Sequence, residues 1–204
     1  MKKLSILLVG ISSSLLLCGC NHNNSNSNNN GDPKEISEKE FATRLSSAKD
    51  ITYSNAIVHA TEHITGTGDF VQERNEERTE VYTHYVDTDA WIVEHGDSLL
   101  RRYIYNFDSL ASFKDWLEDE ELSYSYKFYS NLTVEVKETG TYTEDMMGVV
   151  KTVVIDSEMT IKINEYGYLS SLEGTYEQDI TQTASGTTYR GTKSGESSIS
   201  VTYK

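Results

Sequence analysis

The sequence predicts an α+β fold: a strongly curved antiparallel β-sheet, an unclosed half-barrel, with an N-terminal helix and a second helix covering the concave face. After residue 50, apolar and polar side chains alternate over long stretches, which is typical of antiparallel strands with one wet face. Two shorter segments instead place apolar side chains three to four positions apart, as amphipathic helices do. The predicted order of elements is therefore helix, strands, helix, strands.

The N-terminal end has the pattern of a secretory signal peptide, which we assign to residues 1–19. Two lysines precede an apolar run from Leu4 to Leu17 that is too short to make a stable membrane-spanning helix. The run ends in Leu17-Cys18-Gly19-Cys20, which resembles the lipobox of bacterial lipoproteins. The resemblance implies that Cys20 becomes the diacylated first residue of the mature chain, anchored to the cell membrane on its extracytoplasmic side. The alternatives are an ordinary secreted protein and a retained apolar anchor.

Residues 20–35 combine the lipidated cysteine with an Asn-rich linker. The stretch NHNNSNSNNNGDPK at 21–34 has almost no apolar side chain and cannot form a core. As a flexible coil it reaches roughly 20 Å on average, which would hold a following domain just clear of a bilayer. Both cysteines of the chain precede residue 21. The single domain predicted at 36–204 therefore has neither a disulfide nor a thiolate metal site.

The chain is strongly acidic. It has 18 basic and 32 acidic residues, and its formal net charge of −14 becomes −16 when two lysines leave with the signal peptide. This charge repels both nucleic acid and an anionic membrane surface. We therefore expect no nucleic-acid partner, and we expect the lipid to provide the membrane contact. The acidic residues are spread along the chain, which favours a role in solubility.

Two helices are predicted from cap residues that precede an apolar face. Ser37 and Glu40 have the spacing of a capping box. The apolar face of this first helix is formed by Phe41, Leu45 and Ala48. Asp108 or Ser109 can cap the second helix. Its apolar face is formed by Leu110, Phe113, Trp116 and Leu117.

The longest strands are predicted in the second half of the chain. In residues 124–136 the apolar side chains share one parity and the polar ones the other, and residues 153–163 repeat the pattern. The turn Asn164-Glu165-Tyr166-Gly167 leads into a return strand. Further strands are predicted at 79–86, 90–95, 99–107 and 199–203. Antiparallel strands of around 10–15 residues twist and coil, so a curved sheet is expected.

At this level the chain resembles the LolA/LppX-like group of lipoprotein carriers and lipoproteins. The resemblance covers residues 36–204 and rests on the order of elements, on Phe41 and Leu45 leading into a first long strand, and on the hairpin from Met159 to Leu169. It implies a bent, unclosed sheet whose apolar concave face is lidded by helices, with an apolar, lipid-sized ligand between them. This chain departs from the soluble carriers by being tethered, which favours a membrane-fixed holder over a shuttle.

The first hypothesis for function is therefore a membrane-anchored lipoprotein of the cell envelope that binds an apolar or lipid-like small molecule. It is not an enzyme and needs no cofactor or metal. The side chains expected to contact the ligand lie on the predicted inner face: Phe41, Leu45, Phe113, Trp116, Phe128, Leu132 and Ile161. The alternative is a surface interaction module that binds a protein or a glycan. A solid core beneath an exposed apolar patch favours that alternative.

The pentapeptide His59-Ala60-Thr61-Glu62-His63 matches the H-x-x-E-H spacing of one class of zinc peptidases. Such a site requires both histidines on one face of a helix, so that their ring nitrogens converge on the metal. The β-forming residues around the motif predict a strand instead. On a strand, His59 and His63 are separated by roughly 13 Å, which is too far to share one ion. A zinc-dependent hydrolase acting through His59, Glu62 and His63 is the third hypothesis.

Overall fold

The computed structural model describes residues 33–49 and 51–204. The predicted signal peptide, Cys20 and most of the predicted linker lie outside the described residues. The described chain forms two helices and nine strands, in the order β1 (Glu35–Ile36), α1 (Glu38–Leu45), β2 (Asn55–Gly66), β3 (Gln72–Tyr85), β4 (Ala90–His95), α2 (Leu110–Leu117), β5 (Leu122–Tyr129), β6 (Thr133–Met146), β7 (Val149–Ile163), β8 (Leu169–Ala184) and β9 (Thr187–Tyr203).

The strands form one sheet in the order β1-β5-β6-β7-β8-β9-β2-β3-β4. Every neighbouring pair is antiparallel. In the described residues β1 and β4 form the two ends of the sheet and do not pair with each other. The sheet is therefore open, and the predicted α+β class with an unclosed antiparallel sheet is confirmed.

Strands β6 to β9 are 14 to 17 residues long, so the expectation of long strands is confirmed. Their side chains alternate between a buried inner face and an exposed outer face. On β7, Ile155, Met159 and Ile161 are buried, whereas Asp156 and Glu158 are exposed. The period-two pattern of the sequence therefore assigns these residues to the correct faces.

Both helices lie on the inner face and begin at predicted caps. The Ser37 hydroxyl accepts a hydrogen bond from the backbone N–H of Glu40 at 3.2 Å, and Ser109 caps α2 in the same way. The ring of Phe41 packs on that of Phe128 in β5, with ring centroids 4.8 Å apart. Among the described residues, no helix is long and apolar enough to cross a membrane.

Two clusters of apolar side chains are buried on the inner face. The main cluster lies between the helices and the sheet and includes Phe41, Phe113 and Ile161. The second cluster consists of Leu122, Tyr142, Val153, Ile155 and Ile180, with Phe70 and Tyr124 packed against it. Its members come from neighbouring strands: Tyr142, Val153 and Ile180 lie opposite one another on β6, β7 and β8. Phe70, from the β2–β3 connection, lies beside Gly191 of β9, which is paired with Ile180. This cluster covers the inner face along one row of neighbouring strands.

Two strand glycines allow large side chains to lie across the inner face. Tyr176 on β8 is paired with Gly195 on β9, and a Cβ atom at Gly195 would lie 2.7 Å from the tyrosine ring. Met159 on β7 is paired with Gly174 on β8, where a Cβ atom would lie 3.0 Å from the methionine side chain. Because any larger residue would collide, both glycines let a side chain of the neighbouring strand cover the sheet.

The strand predicted at 99–107 is wrong. Residues Arg101–Tyr103 form a short 3-10 turn, and the rest of the segment is a loop that crosses the inner face. Leu100, Tyr103, Ile104 and Phe107 are all buried in the main cluster. Their spacing of three, one and three is that of a turn, because a strand would place every second side chain on the outer face.

The beginning of this loop is held by the buried carboxylate of Glu80 on β3. Glu80 accepts hydrogen bonds from the backbone N–H groups of Asp97, Leu99 and Leu100 at 3.1, 3.2 and 2.9 Å, and another from the Tyr82 hydroxyl. Burial alone would raise the pKa of Glu80, but the four donors outweigh it and hold the pKa below its usual value.

Glu138 on β6 is also buried but has different partners. Its two oxygens accept hydrogen bonds from the Tyr124 hydroxyl at 2.9 Å and the Ser157 hydroxyl at 2.8 Å. Burial dominates here and raises the pKa of Glu138. A hydroxyl can rotate to accept as well as donate, whereas a backbone N–H can only donate. The surroundings of Glu138 therefore tolerate a neutral side chain better than those of Glu80.

We expect Glu80→Gln to lower the free energy of unfolding at neutral pH by about 2–4 kcal/mol, because it removes a buried ionised acceptor. Glu138→Gln serves as the matched control and should cost less than about 1 kcal/mol. Because the folded-state pKa of Glu80 is depressed, its contribution is present above about pH 4.5 and is lost as the pH falls through the folded-state pKa. Urea unfolding of both variants between pH 7 and pH 3 measures this. Equal losses in the two variants would contradict it.

Candidate functional site

The H-x-x-E-H motif lies on a strand. Strand β2 pairs residue by residue with β9, which places His59 opposite Ser200 and His63 opposite Glu196. Both histidines lie on the outer face, roughly 13 Å apart along the strand. Glu62 lies on the inner face and is fully buried. The three residues of the proposed zinc site therefore do not converge on one point.

Each histidine instead forms a hydrogen bond with a side chain of the neighbouring strand β3. His59 Nδ1 lies 2.9 Å from the Thr79 hydroxyl, and His63 Nδ1 lies 2.8 Å from the side-chain oxygen of Asn75. Within residues 33–49 and 51–204, no group of three or more His, Cys, Asp or Glu side chains is placed to hold a metal ion. The two histidines of the motif therefore link β2 to β3 through hydrogen bonds between side chains.

The seven side chains proposed to contact an apolar ligand are brought together by the fold. Five are 0 to 5% exposed in the main cluster: Phe41, Leu45, Phe113, Phe128 and Ile161. Trp116 and Leu132 are partly buried and pack against it. The indole N–H of Trp116 donates to the backbone oxygen of Arg102 at 3.1 Å. These side chains fill the space between helices and sheet by packing on one another, and their contact with an apolar ligand stays a prediction.

A different feature occupies the outer face, where the sheet forms an open recess of about 790 Å³. Its walls are outward side chains from five adjacent strands, β5 to β9: Ser125, Lys127, Glu135, Lys137, Glu158, Thr160, Glu173, Thr175, Glu196 and Ser198. The intervening residues, such as Val136 and Met159, also border it. Because their side chains point to the inner face, they form the floor with their backbone.

A second recess of about 530 Å³ adjoins the first and shares Glu158, Thr175 and Glu196 with it. It adds outer-face residues further along the strands: His63, Thr65, Asp156, Glu177 and Ser194. We call the two recesses together the polar trough. Its lining holds two lysines and six carboxylates, Glu135, Asp156, Glu158, Glu173, Glu177 and Glu196, which give a formal charge of −4.

The cross-strand register aligns the lining side chains in rows that run across the sheet. One row passes from Lys137 through Glu158, Thr175 and Glu196 to His63. The next row passes through Lys127, Glu135, Thr160, Glu173 and Ser198. Directly opposite residues lie about 5 Å apart. A ligand in the trough would therefore meet charged and hydroxyl groups of several strands at once.

Both lysines of the polar trough already have carboxylate partners. Lys127 Nζ lies 3.4 Å from Glu135, and Lys137 Nζ lies 3.1 Å from Asp156 and 3.4 Å from Glu158. Hydrogen bonds to Asp156 and, to a lesser extent, to Glu158 raise the pKa of Lys137. Its positive charge is therefore maintained. The two lysines thus balance charge at one side of the trough, towards β5 and β6.

The carboxylates of β8 have no such balance. Glu173 and Glu177 are exposed on its outer face, on either side of Thr175. In the part of the chain that the structure describes, neither has a lysine or arginine nitrogen within ion-pair distance. The centre of the polar trough is therefore a region of uncompensated negative charge.

Sequence reasoning missed the polar trough. It assigned the outward residues of 124–136 and 153–163 to a wet face, and the structure confirms that orientation. The charges themselves are readable from the sequence. What the sequence does not provide is the register that aligns five strands and the curvature that turns an exposed face into a recess.

Comparisons with known proteins assign the chain to no family. No protein-family model matches the chain. No curated protein matches it either. The resemblance to the LolA/LppX-like group stays a prediction, and the function has to be argued from the geometry.

We expect added zinc to leave the thermal unfolding midpoint unchanged, because the two histidines cannot share one ion. A metal that binds the folded state at 100 times its dissociation constant would add about 2.7 kcal/mol and raise the midpoint clearly. Calorimetry of the chelator-treated protein with and without a tenfold excess of zinc measures this. An increase that both His59→Ala and His63→Ala abolish would show that the histidines do bind zinc.

Proposed function

We propose that this chain is a membrane-tethered lipoprotein of the cell envelope that acts by binding, and that the polar trough is its partner-binding surface. This is the interaction-module alternative of the sequence analysis, with a polar surface in place of the apolar patch expected there. The observation that supports it most is the recess of about 790 Å³ on the face of the sheet opposite the helices. The volume lies in the range of ordinary ligand sites, which is about 300–1,000 Å³.

The contrast between the two faces of the sheet favours this location. On the inner face, the main cluster is filled by side chains that are nearly all below 9% exposed. On the outer face, lining residues such as Glu173, Thr175 and Lys137 are exposed and need no rearrangement to meet a partner. The backbone beneath these side chains is already ordered by strand pairing, so binding has to order only the side chains.

The geometry of the N-terminal end is compatible with a tether. The backbone N–H of Lys34 donates to the Ser130 hydroxyl at 3.1 Å, and the backbone N–H of Ser130 donates to the Lys34 carbonyl at 2.9 Å. The first described residues are thus held at the β5–β6 turn, at one end of the long strands. In this proposal, the tether to a lipid on Cys20 joins the domain at that end of the strands.

We expect Cys20→Ala to abolish incorporation of labelled palmitate and to release the protein from membranes in cell fractionation, because Cys20 is the proposed lipid acceptor. Cys18→Ala is the matched control and should retain both the label and the membrane location. Palmitate that stays on Cys20→Ala but is lost from Cys18→Ala would move the anchor to the other cysteine. Absence of palmitate from the unaltered protein would rule out the lipoprotein assignment.

We expect a photo-reactive amino acid at Thr175 to give discrete cross-linked adducts in intact cells, because Thr175 lies at the centre of the polar trough. Thr88 is the matched control, since it is an exposed threonine in the connection between β3 and β4 and lies outside the trough. Adducts specific to position 175, seen by blotting for the protein, support the proposal. Equal adducts at both positions, or none at position 175, would contradict it.

A further inference from the structure

We infer that the occupant of the polar trough is an extended polypeptide segment rich in lysine or arginine. This inference rests on the proposed function and names the class of partner for the same site. Three properties of the trough lead to it: its charge, its dimensions and the kind of side chains that line it.

The negative charge of the polar trough favours a cationic ligand. Six carboxylates face two lysines, and both lysines are already paired with Glu135, Asp156 and Glu158. The exposed carboxylates of Glu173 and Glu177 therefore attract a positive ligand without first breaking an internal ion pair. The net charge of the whole chain, −14, has the same sign and would speed the encounter.

The dimensions of the polar trough select an extended chain. The recess spans five adjacent strands, which at 4.8 Å per strand is about 19 Å. An extended peptide covers that distance with about six residues. Glu173 and Glu177 lie four positions apart on β8, roughly 13 Å along the strand, so one ammonium group cannot neutralise both. A ligand with several separated cations fits this spacing better than a single small ion.

The lining groups of the polar trough suit a peptide better than a sugar or an apolar ligand. Sugar sites use aromatic rings as stacking surfaces. The two tyrosines that border the trough, Tyr126 and Tyr176, point to the inner face, where Tyr126 stacks on Phe128 and Tyr176 lies against Gly195. The remaining neutral groups on the outer face are hydroxyls, such as those of Thr160 and Ser198, which can bond to the amides of a peptide backbone.

Fluorescence anisotropy with labelled hexalysine and the full mature protein tests the inference. We expect saturable binding at low ionic strength that weakens as salt is added, because exposed charges are screened. Glu173→Gln/Glu177→Gln should raise the dissociation constant about tenfold. Asp87→Asn/Glu120→Gln removes the same charge from exposed positions outside the trough and should change it less than about twofold. Circular dichroism and thermal unfolding check that both double variants are folded.

The other outcomes are equally informative. Equal loss in the two double variants would show diffuse attraction to an acidic protein and overturn the inference. Tighter binding of spermine than of hexalysine would assign the trough to small polyamines instead. If hexalysine does not bind while the adducts from position 175 persist, the class of partner is wrong and the proposed binding surface stands. If position 175 also gives no adducts, the proposed function fails as well.

Discussion

The fold depends on one geometric constraint: the sheet has far more inner face than its helices can cover. Helices α1 and α2 have eight residues each, which makes each about 12 Å long. Strand β8 has sixteen residues and extends over about 50 Å. The helices therefore bury one part of the inner face, and side chains of the strands and of the β2–β3 connection must bury the rest. The second cluster, which Leu122 on β5 and Phe70 beside β9 border on either side, is the result.

The same constraint explains why a recess forms on the outer face. A twisted sheet is saddle-shaped, so it is hollow on one face along one diagonal and on the other face along the other diagonal. The twist of these long strands therefore leaves a hollow on the outer face, where the polar trough lies. In this chain the outer side chains are mostly charged and hydroxylated, because the period-two pattern places most polar residues of β6 to β9 there. The exceptions Glu138, Ser157, Gln178 and Ser197 are buried on the inner face. Core burial and the polar trough are thus two consequences of the same strand length.

The sequence predicted what depends on neighbours along the chain and failed where distant groups decide. The caps of both helices, the faces of β7 and the strand that carries His59 and His63 were readable because each follows from local spacing or from β-forming residues. The segment 99–107 was wrong because its path is set by Glu80, a carboxylate from another strand that holds its backbone. The trough was missed for the same reason, since only the pairing of β7, β8 and β9 brings Glu173 beside Thr160 and Ser198.

The energetic cost of each ligand position separates the two binding hypotheses. An apolar ligand between helices and sheet must displace packed rings such as Phe113 and Phe128, and losing the buried contacts of one phenylalanine costs about 3–5 kcal/mol. The ligand would have to return that energy before any affinity appears. A cationic segment in the polar trough displaces water from groups that are already exposed, and Glu173 and Glu177 gain partners that they lack. Binding on the outer face therefore requires no rearrangement of the core, and the interior can keep its structural role.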